Sequence, residues 1–373
     1  AEWRLLFNDQ YQFGTRGIST HAYEITGMMQ KTKVFLFLFC ILLMLGFVDG
    51  PPTTPYVFPV LPTFPEMPLS LTNPVTTQGV ELGRYLFYDP ILSKDSTMNC
   101  ASCHKQKHAF SDAPNTFSKG QNNMTMKRNT LPLFNLAWYP AFFWDGRAAT
   151  LEQQVLLPVR THEEMNLNWN TAANRIAAQP FYRNQFKRLY GNAAIDSTLI
   201  SKVIAQFLRT LISYQSKYDR VFLKQARYTA EEYEGYVLMN DMTRGDCLHC
   251  HTTDSDGLGT TTTFSNNGLD NVSVADDYPD AGLGNTTKKK SDNGKFKIPS
   301  LRNIALTAPY MHDGRFKTLE EVLDYYNDPK KFVTDPLNID ETLKEPLGLT
   351  DTEKKDIIAF LKTLTDKKYM RRQ

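Results

Sequence analysis

The stretch NCASCHKQKHAF, residues 99–110, contains the pattern C-x-x-C-H at Cys100, Cys103 and His104. Three kinds of site use such a pattern: a zinc site, a redox-active disulfide and a covalently attached haem. Zinc needs four ligands, and no second cysteine or histidine pair lies close by in the sequence. A thioredoxin-like pair would lie in a βαβ pattern, which the flanking sequence lacks. The pattern is most typical of a c-type haem held by two thioethers, with the histidine on the iron.

A second copy of the pattern lies in the stretch CLHCH, at Cys247, Cys250 and His251. Two copies in similar surroundings favour two covalent haem c groups, with His104 and His251 as proximal iron ligands. Zinc sites and disulfides remain the lesser alternatives. The fifth cysteine, Cys40, lies in an apolar run near the N-terminus and belongs to neither copy.

The N-terminal region is typical of an export signal or an N-terminal anchor, which we place at residues 28–50. Lys31 and Lys33 precede an apolar run of 15 residues, 34–48, whereas a membrane span needs roughly 20. Because a signal normally opens a chain, residues 1–27 are left unassigned and are expected to be non-native or upstream sequence. We predict an exported, periplasmic protein, which is membrane-anchored if this segment is not cleaved.

Residues 51–75 are predicted to be a proline-rich linker, because residues 51–74 contain eight prolines. Such a composition favours an extended tether over a packed core. The whole chain of 373 residues, with 41% hydrophobic residues, is long enough for about two domains. Its formal net charge of +2 is too small to indicate a nucleic-acid partner.

The surroundings of the two haem motifs repeat. The stretch NLAWYPAFFWDGRAATLE (135–152) matches NIALTAPYMHDGRFKTLE (303–320) without a gap, at a constant offset of 168 residues. Self-similarity of this kind indicates an internal duplication. We therefore predict a mainly α protein with two cytochrome c-like haem domains, residues 76–228 and 229–373.

Helices are predicted where apolar residues recur three and four positions apart. These stretches are 76–90 and 229–241, which precede the haem motifs, and the similar pair 204–211 and 357–364. Capping boxes at Thr229/Glu232 and Thr350/Glu353 support two of the helix starts. The stretch 252–297 is rich in Gly, Asn, Asp and Thr and is predicted to be a long loop.

Over roughly residues 76–366 the chain resembles the bacterial di-haem cytochrome c peroxidase/MauG family. The motifs that carry the resemblance are CASCH, FWDGRAATLEQQV, CLHCH, FKIPSLRNIALTAPYMHDGRFKTLEEV and LTDTEKKDIIAFLKTL. The resemblance implies an N-terminal haem that reacts with peroxide, a C-terminal haem that passes electrons, and one Ca²⁺ between the two domains. On the family's pattern the calcium ligands are Asn129, through its side-chain oxygen, and the backbone carbonyls of Thr307 and Pro309.

The resemblance also implies a set of catalytic residues. Glu164 matches the family's distal glutamate, the acid–base group of peroxide cleavage, and Gln154 matches its pocket partner. Trp144 matches the tryptophan between the haems, where an indole can relay electrons. From the residues alone, Glu163 and Glu164 could equally be a solvated pair, and Trp144 could be plain core.

The far-side ligand of the second haem is expected 14 residues after His312, by the family's spacing, which gives Tyr326. The repeat offset places Pro158 at the matching position over the first haem, and proline has no side-chain donor for iron. No histidine lies between His108 and His162 to replace it. We therefore expect the first haem to be open, and Met311 is the main competitor of Tyr326.

Three functions are compatible with these observations. The first is a peroxidase that reduces hydrogen peroxide with electrons from a small cytochrome c or cupredoxin. The second is a MauG-like oxidase that takes electrons from residues of a partner protein, which a tyrosine ligand favours. The third is a non-catalytic di-haem electron carrier, against which an open haem beside a glutamate argues.

Overall fold

A computed structural model describes residues 53–253, 256–334 and 336–367. The predicted export segment and residues 1–27 lie outside the described residues. The structure is mainly helical, and its α-helices in the described ranges are α1 (Thr77–Tyr88), α2 (Cys100–Cys103), α3 (Leu151–Arg160), α4 (Trp169–Ala178), α5 (Pro180–Tyr190), α6 (Ser197–Arg209), α7 (Lys217–Phe222), α8 (Ala230–Asn240), α9 (Cys247–Cys250), α10 (Gly284–Thr287), α11 (Leu319–Asn327) and α12 (Asp351–Thr363).

The four helices predicted from periodicity form two packed pairs. Helix α1 packs on α6 in the first half of the chain, and α8 packs on α12 in the second half. A glycine permits each close approach: a Cβ at Gly83 of α1 would lie 1.9 Å from the carbonyl oxygen of Val203, and one at Gly235 of α8 would lie 2.0 Å from that of Asp356. In each half, therefore, a glycine allows the two helices to approach each other closely.

The predicted capping boxes of α8 and α12 are present. The Thr229 hydroxyl accepts from the backbone N–H of Glu232, whose carboxylate accepts from the backbone N–H of Thr229. Thr350 and Glu353 make the same reciprocal bonds at α12. These bonds satisfy backbone donors that the first helical turn leaves without an intrahelical partner.

The repeated stretches adopt the same local conformation. Asn135 and Asn303 have left-handed φ values of 54° and 59°, and Gly146 and Gly314 have φ values of 68° and 64°. Isolated antiparallel bridges join Phe142 to Ala148 and Tyr310 to Phe316, at the same offset. Two apolar cores accompany the repeat, one drawn from residues 82–211 and one from residues 218–364. These matches are what an internal duplication predicts. The domain boundary at residues 228/229 stays a prediction.

The stretch 252–297, predicted to be a loop, contains short regular elements. Strand β1 (Phe264–Ser265) pairs antiparallel with β2 (Phe296–Lys297), with Phe264 opposite Lys297, and α10 lies between them in sequence. The backbone N–H of Lys297 also donates to the carbonyl oxygen of Trp144 at 2.8 Å. Contacts with residues distant in sequence therefore hold β2 in place. The local pattern of Gly, Asn and Asp gives no sign of these contacts.

The proline-rich linker is not a free tether over its described part. Phe58, Leu61, Phe64 and Met67 pack against a small core around Trp138. The indole Nε1 of Trp138 donates to the carbonyl oxygen of Pro65 at 3.1 Å. Apolar residues between the prolines anchor this segment to the body of the protein. Within the described ranges, none of the helices has the length and apolar character needed to cross a bilayer.

Candidate functional site

The first C-x-x-C-H motif forms α2, a single helical turn that ends at His104. The backbone N–H of His104 donates to the carbonyl oxygen of Cys100 at 2.9 Å, and its ring Nδ1 lies 2.8 Å from the carbonyl oxygen of Phe110. Because a carbonyl only accepts, Nδ1 must carry the proton, which leaves the Nε2 lone pair for a metal. Burial lowers the pKa of His104 and favours the neutral ring that iron ligation requires.

The second motif has the same arrangement on α9. The backbone N–H of His251 donates to the carbonyl oxygen of Cys247 at 3.0 Å, and Nδ1 donates to the carbonyl oxygen of Pro299 at 2.9 Å. Burial lowers the pKa of His251 to about 4. Each histidine is therefore neutral near pH 7, with Nε2 as the available donor. The four motif cysteines form no disulfide with one another, so both pairs are available for haem attachment.

A cavity of about 1170 Å³ opens beside the first motif. This is larger than the about 300–1,000 Å³ typical of ligand sites. Its walls near the motif are largely apolar and include Phe87, Leu133, Phe134, Leu151 and Val155, together with Cys100, Cys103 and His104. Two thiols for covalent attachment, one imidazole donor and a large apolar cavity fit a haem c group.

Glu164 faces this cavity from the turn that follows α3. Its backbone carbonyl accepts from the N–H of Gln121 at 2.8 Å, and a Cβ at Gly120 would lie 1.9 Å from the carbonyl oxygen of Glu163. The loop around Gly120 thus braces the turn. Burial raises the pKa of Glu164, and a hydrogen bond from Thr161 and the charge of Arg147 oppose that rise.

The Glu164 carboxylate lies close enough to the haem-attachment cysteines to act on them electrostatically. Burial raises the pKa of both Cys100 and Cys103, and the charge of Glu164 makes a smaller contribution in the same direction. A carboxyl group with a raised pKa in a cavity beside a cofactor attachment point is a candidate acid–base group.

Gln154 and Pro158 line the same cavity from α3. They are four residues apart and therefore share one face of the helix. Pro158 presents only ring carbons to this space, so that position supplies no iron ligand. His162 is exposed, whereas His104 and His312 are the histidines among the cavity-lining residues. His312 is engaged elsewhere, because its ring stacks on Phe296 with centroids 3.6 Å apart.

Trp144 and Asn129 line the cavity and take part in hydrogen bonds between the two halves of the chain. The Trp144 indole Nε1 donates to the backbone carbonyl of Asn129 at 2.8 Å, and the Asn129 N–H donates to the carbonyl oxygen of His312 at 2.7 Å. Trp144 is 8% exposed. Trp144 is therefore buried where residues of the two halves of the chain hydrogen-bond to each other.

Two of the three residues expected to bind calcium, Asn129 and Pro309, lie near Thr116. The Asn129 side-chain amide donates to the carbonyl oxygen of Thr116 at 3.0 Å. Thr116 and Pro309 both lie beside Gly314, since a Cβ on that glycine would be 2.9 Å from Thr116 Cγ2 and 3.2 Å from Pro309 Cγ. Thr116 is therefore a neighbour of both Asn129 and Pro309. Thr307 is two residues before Pro309. Across the described ranges, no three His, Cys, Asp or Glu side chains come together as a metal site. The expected calcium ligands are of another kind, an amide oxygen and backbone carbonyl oxygens.

Tyr326 on α11 lies beside the second motif. Its hydroxyl is 3.3 Å from Asn267 Nδ2, and the same amide nitrogen lies 3.4 Å from the Met311 sulfur. Burial, together with the smaller effect of the charges of Cys247 and Cys250, raises the pKa of Tyr326 to about 12. The Tyr325 hydroxyl is engaged in a different hydrogen bond, because it donates to the backbone carbonyl of Asn267 at 2.6 Å. The structure thus brings both candidate ligands, Tyr326 and Met311, to one place.

Arg147 and Arg128 belong to the cavity wall, and sequence reasoning missed them. The Arg147 guanidinium lies 3.7 Å from the centroid of the Phe143 ring and forms an ion pair with Asp145 at 3.0 Å. Arg128 joins Asp145 to Asp280, at 2.7 and 2.6 Å. Arg147 could have been identified from the sequence, because it belongs to the Asp-Gly-Arg triplet that occurs in both repeats.

Comparison with known proteins decides the family. The family model described as di-haem cytochrome c peroxidase matches residues 77–227. The methylamine utilization protein MauG of Methylophilus methylotrophus is 32% identical over 303 residues, which are 80% of this chain and 85% of that protein. The chain belongs to the di-haem cytochrome c peroxidase family.

Other members of the di-haem cytochrome c peroxidase family match as broadly. The cytochrome c551 peroxidase of Nitrosomonas europaea is 32% identical over 306 residues, 81% of this chain and 84% of that protein. A MauG-like protein associated with microbial copper homeostasis has a similar structure, with a TM-score of 0.74 and 32% identity over 85% of this chain and 97% of that one. The predicted family and mainly helical fold are confirmed.

Membership in the di-haem peroxidase family also confirms the predicted enzyme class, an oxidoreductase of the peroxidase type. A di-haem family implies two haem c groups, and the chain offers two C-x-x-C-H motifs to hold them. The roles of the individual residues, the calcium ion and the domain boundaries stay predictions.

Proposed function

We propose that this peroxidase reduces hydrogen peroxide at the haem held by Cys100, Cys103 and His104. In this proposal a small cytochrome c or cupredoxin in the periplasm supplies electrons through the haem held at Cys247 and Cys250. When bound, the first haem supplies an iron at which peroxide binds and accepts electrons. The observation that carries the proposal is the half-buried Glu164 carboxyl, which lines the cavity beside the first motif together with Pro158, a residue without a side-chain ligand for iron.

The residues of the chain would handle the proton and the substrate. Cleavage of peroxide requires a proton to move from the inner to the outer oxygen, which is general acid–base work. The Glu164 carboxylate would accept that proton and return it. The Gln154 amide, on the cavity face of α3, would orient the peroxide by hydrogen bonding. Apolar residues such as Leu151 and Val155 would exclude water from the proton path.

The open first haem makes a direct kinetic prediction. Ferric protein, as isolated and without prior reduction, should react rapidly with hydrogen peroxide, because Pro158 would supply no side-chain ligand to the iron of a haem bound in this cavity. Stopped-flow absorbance should show fast bleaching of the haem band. A spectrum that does not change on mixing would favour a six-coordinate, non-catalytic di-haem carrier.

A MauG-like oxidase acting on a partner protein is the second candidate, and Tyr326 is the observation that favours it. A phenolate ligand is hard and anionic and stabilises ferric iron, so it would lower the potential of the second haem. Curated relatives include both MauG and cytochrome c peroxidases at similar identity. The ligand of the second haem therefore bears on which of the two activities this chain performs.

Replacement of Tyr326 by phenylalanine should change the ferric spectrum of the second haem and leave the first haem reactive with peroxide. The reason is that Tyr326 Oη, beside Asn267 Nδ2, is the expected far-side ligand. Tyr325→Phe is the matched control, since its hydroxyl is bonded to a backbone carbonyl. An unchanged spectrum in Tyr326→Phe, together with a lost ligand band in Met311→Leu, would assign the ligand to Met311 instead.

A calcium ion held by Asn129, Thr307 and Pro309 is part of the proposal. Hard oxygen donors suit Ca²⁺, and Asn129 also contacts Trp144 and His312 through its backbone. Chelation should therefore alter electron transfer between the haems, and added Ca²⁺ should restore it. Asn129→Ala should weaken calcium binding measured by calorimetry, with Asn115→Ala as the neighbouring control. A fully active, metal-free protein would reject the site.

A further inference from the structure

Lys297 on β2 is a buried cation that the proposed function does not use. The residue is 5% exposed and lines the cavity beside the first C-x-x-C-H motif. Its backbone is held by two interactions, the pairing with Phe264 of β1 and the N–H donation to the carbonyl of Trp144. The side chain is therefore directed into the cavity wall by a fixed backbone rather than by a mobile loop.

The ammonium group of Lys297 has polar and aromatic neighbours. Nζ donates to the carbonyl oxygen of Ala141 at 2.5 Å. It lies 4.6 Å from the ring centroid of Tyr139 and 5.2 Å from that of Phe264. A carbonyl dipole and two ring faces attract a cation but do not neutralise its charge.

The arginines that line the cavity are paired with carboxylates. Arg128 pairs with Asp145 and Asp280, and Arg315 pairs with Asp270 and Asp313. Among the described residues, no carboxylate lies within ion-pair distance of Lys297. Burial lowers the pKa of Lys297 to about 8, and no neighbouring charge offsets that effect. The ammonium is still mostly protonated near pH 7, and a buried charge of this kind is costly without a counter-ion.

Haem c carries two propionate carboxylates, and these also need counter-ions when the ring enters an apolar cavity. We propose that the Lys297 ammonium is the counter-ion of a propionate of the haem attached at Cys100 and Cys103. Lys297 and these two cysteines line one cavity. Two of the three groups around Nζ, Ala141 and Tyr139, belong to the half that carries the first motif. The inference rests on haem attachment at the first motif and not on the identity of the substrate.

The test is a spectroscopic redox titration of the haem-loaded protein, its Lys297→Met variant and its Lys288→Met variant. Lys288 is an exposed lysine on the same cavity and is the matched control. Loss of the Lys297 charge should lower the midpoint potential of the first haem, because an uncompensated carboxylate stabilises ferric iron. Lys288→Met should leave the potential unchanged, and Lys297→Arg should restore it towards the parent value.

An unchanged potential in Lys297→Met, or a shift confined to the second haem, would overturn the proposal. If Lys297→Met does not fold or load haem, a crystal structure of the haem-loaded parent decides. That structure should show Nζ within hydrogen-bond distance of a propionate oxygen of the first haem. A structure with Nζ bound only to protein carbonyls, or to an inorganic anion, would reject the assignment. Peroxide reactivity of the parent protein tests the proposed function separately, since it does not depend on these readouts.

Discussion

Glu164→Gln should lower the rate of the peroxide reaction roughly 10²–10⁴-fold, the range typical of general acid–base catalysis. The amide has the shape of the carboxyl group but cannot accept and return the proton. Haem content and the resting spectrum should stay as in the parent, because Glu164 is not placed as an iron ligand. The measurement is the second-order rate constant of the ferric protein with hydrogen peroxide in stopped flow.

Glu163→Gln is the control, since Glu163 lies on the same turn. A similar loss in both variants would indicate that the turn matters as a structural unit and not the Glu164 carboxyl. If Glu164→Gln reacts like the parent, the acid–base role belongs to another group. His162 is the next candidate by position, although its exposure argues against it.

The pH profile gives an independent check on Glu164. Burial raises the pKa of this carboxyl group above the ordinary value of 4.5. Because the carboxylate is the form that accepts the proton, the rate should fall as the pH drops through this raised pKa. The acid limb of the profile should therefore lie above pH 4.5 in the parent and be absent in Glu164→Gln.

Arg302→Met should lower the free energy of unfolding by about 3–5 kcal/mol, the cost of leaving one partner of a buried ion pair alone. Arg302 and Asp219 are 0% and 1% exposed in their side chains and are joined by two hydrogen bonds of 2.6 and 2.9 Å. Asp219 also accepts from the backbone N–H and the hydroxyl of Ser216. Without the guanidinium, its carboxylate would stay buried and only partly compensated. Urea unfolding of the haem-loaded protein measures the loss.

The pair of Lys290 with Asp276 is the exposed counterpart, with side chains 72% and 66% exposed. Lys290→Met should change the free energy of unfolding by about 0–1 kcal/mol, because water screens an exposed pair. A loss in Arg302→Met no larger than that of Lys290→Met would show that the buried pair is not a principal contributor to stability.

Much of the fold could be predicted from local sequence. The helices around Gly83 and Gly235, and the capping boxes at Thr229 and Thr350, lie where the patterns placed them. The packed linker was missed, because apolar residues such as Phe64, spaced between prolines, were given less weight than the prolines themselves. The strand pair β1–β2 was missed because its register depends on a contact with Trp144.

In the candidate site, too, some residues could be identified from the sequence and others only from the structure. Motif spacing was enough to select Cys100, whereas Glu164 and Tyr326 were selected by the resemblance to the family; the structure places each of the three beside a cavity or a haem motif. The sequence patterns did not select Arg147 or Lys297, because the roles of these two cations depend on the residues that surround them in the folded protein. The competition between Tyr326 and Met311 also persists in the structure, because both approach the same amide of Asn267.

The amino-acid order alone established the two haem-attachment motifs, the helix starts and the repeated Asp-Gly-Arg segments. Their signals span only a few residues, since thioether spacing, capping and helical periodicity are local properties of the chain. The burial of Glu164, the pairing of Arg302 with Asp219 across 83 residues and the unpaired charge of Lys297 emerged only in three dimensions. The energy of a charged group depends on which dipoles and charges surround it after packing, and segments distant in sequence supply them.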